Sequence, residues 1–164
     1  MIQQNFYGFN VFNRSWAEYK VGFSNSRGNY WLGNDLLSQL TPTGRYKLRI
    51  DLQSRYTRRW HYAEYSTFIV QPESSNYRLE VSGYSGNAGD DTFRHQNGTM
   101  FSTFDRDNDE LSPHNCAATY GGGFWYNNCF HCCMNCKDNY FCWNGKVLPG
   151  DIFLQSSRMW LQCK

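Results

Sequence analysis

The sequence predicts an α+β fold: a twisted antiparallel sheet with short helices, joined to a long loop-rich region. Three observations carry this. Apolar and polar residues alternate over Tyr46–Leu52 and again over Tyr77–Val81, as in half-buried strands, and Ala63–Val70 between them is rich in aromatic and β-branched residues. A capping-box pattern, Ser15-x-x-Glu18, opens a helical pattern ahead of these stretches. From Gly83 onward to Gly150 the periodicity stops. One domain is the natural reading of 164 residues, and the chain is long enough to enclose a sizeable core.

Each element follows from its residues. Trp16, Tyr19 and Phe23 recur at spacings of three and four, so a helix from Ser15 to about Phe23 puts them on one face. Gly28 to Gly33 is a turn. Asn34 caps a second helix, Asp35 to Leu40, which Pro42 and Gly44 end. Tyr46, Leu48, Ile50 and Leu52 face inward while Lys47, Arg49 and Asp51 face out. Gln53 to His61 is a polar tip; its basic cluster, Arg55 to Arg59, reads as a solvated hairpin end, with anion or glycan contact as the lesser reading. Pro72 to Asn76 turns the chain into the strand of Tyr77, Leu79 and Val81. Three strands with short connections make an antiparallel meander. Asn97-Gly98 marks a turn inside the loop region, and Ile152 to Cys163 reads as a last strand.

Composition narrows the function. Aromatics make up 18% of the chain, so the core is built from rings whose OH and NH groups need polar partners. A net charge of +2 without a basic stripe argues against nucleic acid. No segment is long and apolar enough to cross a membrane as a helix. Gly121-Gly122-Gly123 is not a phosphate loop, since no Gly-Lys-Ser/Thr follows; it lets the backbone turn tightly. Cys129 or Cys132 beside His131 is a poor nucleophile–base pair, because chain neighbours rarely face one another. An enzyme is not expected. Seven cysteines point to an oxidising compartment, although Met1-Ile2-Gln3-Gln4 has neither the basic nor the apolar part of a signal peptide. Asn13-Arg14-Ser15 and Asn97-Gly98-Thr99 are glycosylation sequons that fit secretion.

The loop region holds the chemistry. Asp105, Asp107 and Asp109 alternate, offering hard oxygens of the kind Ca²⁺ takes. They are not an EF-hand: counting from Asp105, Glu110 stands where glycine is needed and Cys116 where glutamate is needed. The other reading is a solvated acidic turn. Cys129-x-x-Cys132-Cys133-x-x-Cys136, with Cys142 and a nearby His131 or His114, fits zinc by spacing and disulfides by compartment. Seven is odd, so at least one thiol is free or pairs between chains, and Cys163 is a candidate.

FSTFDRDND, NCA and GGGFWYNNC follow one another here, preceded in order by SWAEYKVGF, YWLGNDLLSQLT, YKLRIDL, AEYSTFIV and YRLEVSGYSGNAGD. This series closely resembles fibrinogen-related domains, the fibrinogen C-terminal fold of ficolins, tachylectin-like lectins and invertebrate fibrinogen-related proteins. The resemblance implies a central sheet over about residues 1–90, a calcium- and ligand-binding loop subdomain over about 91–150, and a strand over about 151–164 that returns to the sheet. It also implies that the family's first subdomain is missing, as in a fragment, a truncated gene model or a degenerate copy. By the resemblance, Ca²⁺ is held by Asp107 and Asp109 and by the carbonyls of Leu111 and Pro113. His114 is the alternative to Pro113, because the segment before Cys116 is slightly longer here. Asp105 then supports the loop by accepting backbone hydrogen bonds. Cys116 and Cys129 form the family's disulfide.

In lectin-type relatives the ligand pocket lies beside the calcium, shaped by a cis peptide that corresponds to Asn128–Cys129. The matching pocket residues are Tyr120, Asn128, Cys129 and Phe130, with Phe130 in place of the family's histidine. Cys132-Cys133-Met134-Asn135-Cys136 replaces the usual SNLNG, and Val147-Leu148-Pro149 stands where a tryptophan is usual. Tyr120, Phe130, Tyr140 and Trp143 either line an aromatic cleft or pack the loop core. Core is the favoured reading for Tyr140 and Trp143, and Trp125 and Tyr126 are structural. The resemblance implies a secreted innate-defence lectin for acetylated or other glycans. The alternative is a protein–protein module of matrix or growth-factor type. An oligomer would form through an upstream region or the odd cysteine.

Overall fold

The computed structural model describes residues 1–6, 10–144 and 153–164. The elements are β1 (Gln3–Phe6), α1 (Trp16–Val21), β2 (Phe23–Ser24), β3 (Tyr30–Trp31), α2 (Asn34–Leu40), β4 (Tyr46–Ser54), β5 (Trp60–Val70) and β6 (Leu79–Gly86). They continue with β7 (Phe101–Ser102), α3 (Cys116–Tyr120), β8 (Phe124–Trp125), β9 (Cys132–Cys133), β10 (Cys142–Trp143) and β11 (Leu154–Cys163). Among the described residues, seven strands form one sheet in the order β2-β3-β1-β11-β4-β5-β6, each pair antiparallel. This is the expected α+β architecture.

The meander β4-β5-β6 is there, and the alternation explains it. Leu48, Ile50 and Leu52 are buried and stand opposite Tyr65, Ala63 and His61 on β5. Outside, Lys47 and Arg49 reach Glu64 at 2.8 and 3.2 Å, and Arg49 also holds Asp51. β11 enters between β1 and β4, with Met159 opposite both Gln3 and Ile50. The expected start of this strand at Ile152 lies outside the described residues, as do Val147-Leu148-Pro149 and the loop's end at Gly150. The strands β1, β2 and β3 were not expected. β1 escapes the hydropathy pattern because its inward residues, Gln3 and Asn5, are polar.

α1 carries the full capping box and ends sooner than expected, at Gly22. A side chain there would meet the Leu32 carbonyl oxygen at 2.5 Å, and φ is +93°. Phe23 therefore sits in β2, yet its ring still meets Tyr19 edge-on at 5.0 Å. Asn34 is not the cap of α2 but its first residue; Gly33 precedes it without a side-chain cap. The Asn34 side-chain Oδ1 instead accepts the Trp31 indole N–H at 3.0 Å.

The region after β6 is not structureless. A 3₁₀ turn over Phe93–Gln96, α3 and four two-residue strands give it order. Each is too short to show a period. Gly98, at φ +83°, makes the expected Asn97-Gly98 turn. Rings fill the space between this region and the sheet: Trp31, Phe101 and Trp125 lie within 5.2–6.1 Å of one another, and all three are fully buried. Trp125 donates its indole proton to the Tyr77 carbonyl, so it is structural as read.

Candidate functional site: an acidic loop beside a ring cluster

Asp105 works as a tether. Its Oδ1 accepts the Trp16 amide at 2.9 Å and the Thr103 hydroxyl at 2.7 Å, joining the loop to the start of α1. Asp107 is exposed and Asp109 half-buried. Asp109 accepts the amide of Leu111 on Oδ1 and that of Cys116 on Oδ2, both at 2.8 Å, and Asp107 Oδ1 accepts the Asp109 amide. Burial pushes the Asp109 carboxyl up, the two amides pull it down, and the neighbouring Asp107 charge pushes it up again.

Two carboxylates held together against their repulsion fit a hard dication. Such an ion also needs carbonyl oxygens, because among the described residues no three His, Cys, Asp or Glu side chains group to hold a metal. The Leu111 carbonyl already accepts the His114 amide at 2.8 Å and keeps one lone pair. Pro113 follows it on the exposed turn. Of the cysteines in the zinc spacing, Cys129, Cys133 and Cys136 are taken up in disulfides instead.

Cys116 and Cys129 are bonded, with Cα atoms 5.6 Å apart. A second disulfide joins Cys133 to Cys136. Cys132 and Cys142 are buried thiols, and Cys163 is an exposed one.

The bonded Cys116 opens α3, which Asn115 caps by accepting the Ala118 amide and which Gly121 ends at φ +73°. This places Tyr120 at the helix end. Phe130 meets it edge-on at 4.8 Å and Tyr140 at 4.7 Å. Tyr140 is 38% exposed, contrary to the core reading, whereas Trp143 is buried and bonded to the Ala88 carbonyl. Lys137 lies 5.7 Å from the Tyr140 ring and donates to the Thr119 carbonyl. Lys137 was not legible as a site residue, since a single lysine in a loop carries no pattern.

Of the expected pocket residues, Tyr120 and Phe130 come together, but the polar part does not assemble. The Asn128 amide donates to Asn127 Oδ1 at 2.7 Å, and the Asn127 amide donates to the Cys129 carbonyl. The Asn128–Cys129 peptide is not cis: among the described residues the cis peptide is Ser112–Pro113. A non-proline cis bond costs about 3 kcal/mol, and the turn at Asn127 closes without it.

A separate cleft of about 320 Å³ is lined by Asp90, Asp91, Arg94, His95, His131 and Asn144. The rings of His95 and His131 stack at 3.9 Å. Burial, with help from His131 and Arg94, lowers the His95 pKa.

Residues 1–152 match the family model described as fibrinogen beta and gamma chains, C-terminal globular domain. The chain belongs to this family. It is 38% identical over 159 residues to protein scabrous of Drosophila melanogaster, covering 96% of this chain but 20% of scabrous. The fibrinogen-like globe domain of human ANGPTL2 superposes with a TM-score of 0.86 at 36% identity, covering 99% of this chain and 78% of that one. Lamprey fibrin D-dimer, complexed with the peptide ligand Gly-His-Arg-Pro-amide, gives 0.84 at 31% identity, covering 98% and 59%. This fibrinogen-type domain thus spans a small part of the curated relative it matches.

Proposed function

We propose that this fibrinogen-type domain is a non-catalytic, secreted recognition module that binds a protein partner through Tyr120, Phe130, Tyr140 and Lys137. The observation that carries the reading is the edge-on ring cluster with an exposed Tyr140 and an adjacent cation. An exposed tyrosine backed by further rings is the kind of side chain that anchors protein interfaces, and Lys137 adds a charge at its edge. The peptide held by the lamprey fibrin structure supports the same direction. Two disulfides fit an oxidising compartment.

Asp107 and Asp109, with the carbonyls of Leu111 and Pro113, hold Ca²⁺ in this proposal and brace the loop beside the ring cluster. A second reading, a lectin for acetylated glycans, draws on Tyr120, whose ring suits the apolar face of a sugar. It is the weaker reading, because the Asn128 amide is already used and Phe130 packs where a polar side chain would be wanted.

The test is a binding screen of the secreted domain against arrayed extracellular proteins and an N-acetylhexosamine matrix, each with Ca²⁺ and with EDTA. Saturable binding to one protein, lost in Tyr140→Ala and indifferent to free acetate, is the expected result. Retention on the matrix released by acetate and EDTA overturns it in favour of the lectin.

A further inference from the structure

Cys133 has two neighbours placed to bond it. It is joined to Cys136, three residues on. Across the β9–β10 ladder its Cα partner is Cys142, a buried free thiol. Directly opposed residues of an antiparallel pair lie about 4.5–5.5 Å apart at Cα and point to the same face. A disulfide spans that separation.

Tyr126 supplies an independent observation. Its hydroxyl donates its one proton to the Gly122 carbonyl at 2.6 Å, since a carbonyl can only accept. The lone pairs of the same oxygen are left facing Sγ of Cys136 at 3.2 Å and Sγ of Cys133 at 3.6 Å. A disulfide sulfur has no proton to give them. A thiol at Cys136 has one.

We infer that the Cys133 disulfide exchanges between Cys136 and Cys142, giving the domain a second covalent state in which Cys136 is a thiol donating to Tyr126. In the exchange, Cys142 Sγ loses its proton and the thiolate attacks Cys133 Sγ. The Cys133–Cys142 bond forms as the Cys133–Cys136 bond breaks, its electron pair leaves with Cys136, and that sulfur takes up a proton. One S–S bond is made and one is lost, so no oxidant or reductant is needed.

Burial pushes the Cys142 thiol up to about 11. The titratable groups around it are the Cys132 thiol and the Tyr126 phenol, both also raised by burial and both neutral at ordinary pH. Exchange therefore quickens as pH rises. The switch reaches the ring cluster, because Cys136 precedes Lys137, whose amide donates to the Tyr120 carbonyl and whose carbonyl accepts the Tyr140 amide.

The test is disulfide mapping of the secreted chain after incubation at pH 6, 7.4 and 8.5. Free thiols are trapped with a maleimide in denaturant before digestion. Cleavage after Lys137 separates Cys136 from Cys142. Two populations are expected. One has Cys133 bonded to Cys136 and Cys142 trapped; the other has Cys136 trapped and Cys133 joined to the Cys142 peptide. The second should appear faster at pH 8.5, vanish in Cys142→Ser and fall several-fold in Tyr126→Phe. Cys142 trapped in every molecule at every pH, or joined to Cys132 instead, overturns the inference. The wild-type map decides the matter even where Tyr126→Phe does not fold.

Discussion

The hydroxyl of Tyr19 accepts the amide proton of Gly123, 104 residues away, at 2.9 Å, and donates its own to the Phe12 carbonyl at 2.7 Å. A single phenol so ties α1 to the segment before it and to the turn behind α3. Tyr19→Phe leaves the buried Gly123 amide without its partner and takes one of two donors from the Phe12 carbonyl, which keeps the Arg14 amide at 2.9 Å. It should cost about 1–3 kcal/mol. Urea unfolding would show this as a lower midpoint with an unchanged slope.

Gly122 answers to a stricter constraint. A Cβ there would lie 2.0 Å from the Asn135 carbonyl oxygen, which is backbone and cannot swing aside. Gly44 has a left-handed φ of +70° but open space around it. Gly122→Ala is expected to lose about 3 kcal/mol by forcing the backbone apart. Gly44→Ala should lose about 1 kcal/mol. Thermal melts of the two variants side by side check the order.

Three aspartates in one loop divide by role. Asp105→Ala removes the acceptor of the Trp16 amide and should lower stability by about 1 kcal/mol, equally with Ca²⁺ and with EDTA. Asp107→Ala should leave the melting temperature in EDTA near that of the wild type and abolish the rise that Ca²⁺ produces. Equal Ca²⁺ responses in Asp107→Ala and wild type would remove the calcium proposal.

Glu64 sets an acid limb. The hydrogen bond from Lys47, with a further one from Arg49, holds its carboxyl below the ordinary 4.5 despite burial. The unfolded chain therefore binds the proton more readily than the folded one. The contribution to stability is complete above about pH 4.5 and is lost as pH falls through the folded value. Glu64→Gln should flatten that limb and cost about 1 kcal/mol at neutral pH, read from denaturation midpoints across pH 3 to 7.

Where one face of a strand is apolar, the sequence told it. Leu48, Ile50 and Leu52 mark β4 on sight, and Leu79 with Val81 marks β6. β1 was illegible because its inward side chains make hydrogen bonds instead of apolar contacts: Gln3 and Asn5 both donate to the Met134 carbonyl, at 3.1 and 2.8 Å. α3 buries only Cys116 and Ala117, too few for a period, although Asn115 and Gly121 bracket it as cap and stop. Alternation marked Asp107 and Asp109 as candidate ligands together with Asp105, and resemblance set them apart from it, whereas Tyr120 and Phe130 became candidates by resemblance. Lys137 and the His95–His131 pair arise from contacts between separated segments, which no local pattern records.

β11 has a consequence for how the molecule is made. It lies between β1 and β4, so among the described residues the two halves of the sheet, β2-β3-β1 and β4-β5-β6, are joined strand to strand through it. A nascent chain exposed only as far as Asn144 holds two partial sheets, each with an open edge. Such edges invite pairing with other chains. Joining them needs contacts between residues more than a hundred positions apart, which slows folding. Completion of the sheet therefore waits for β11, the last of its strands to be synthesised.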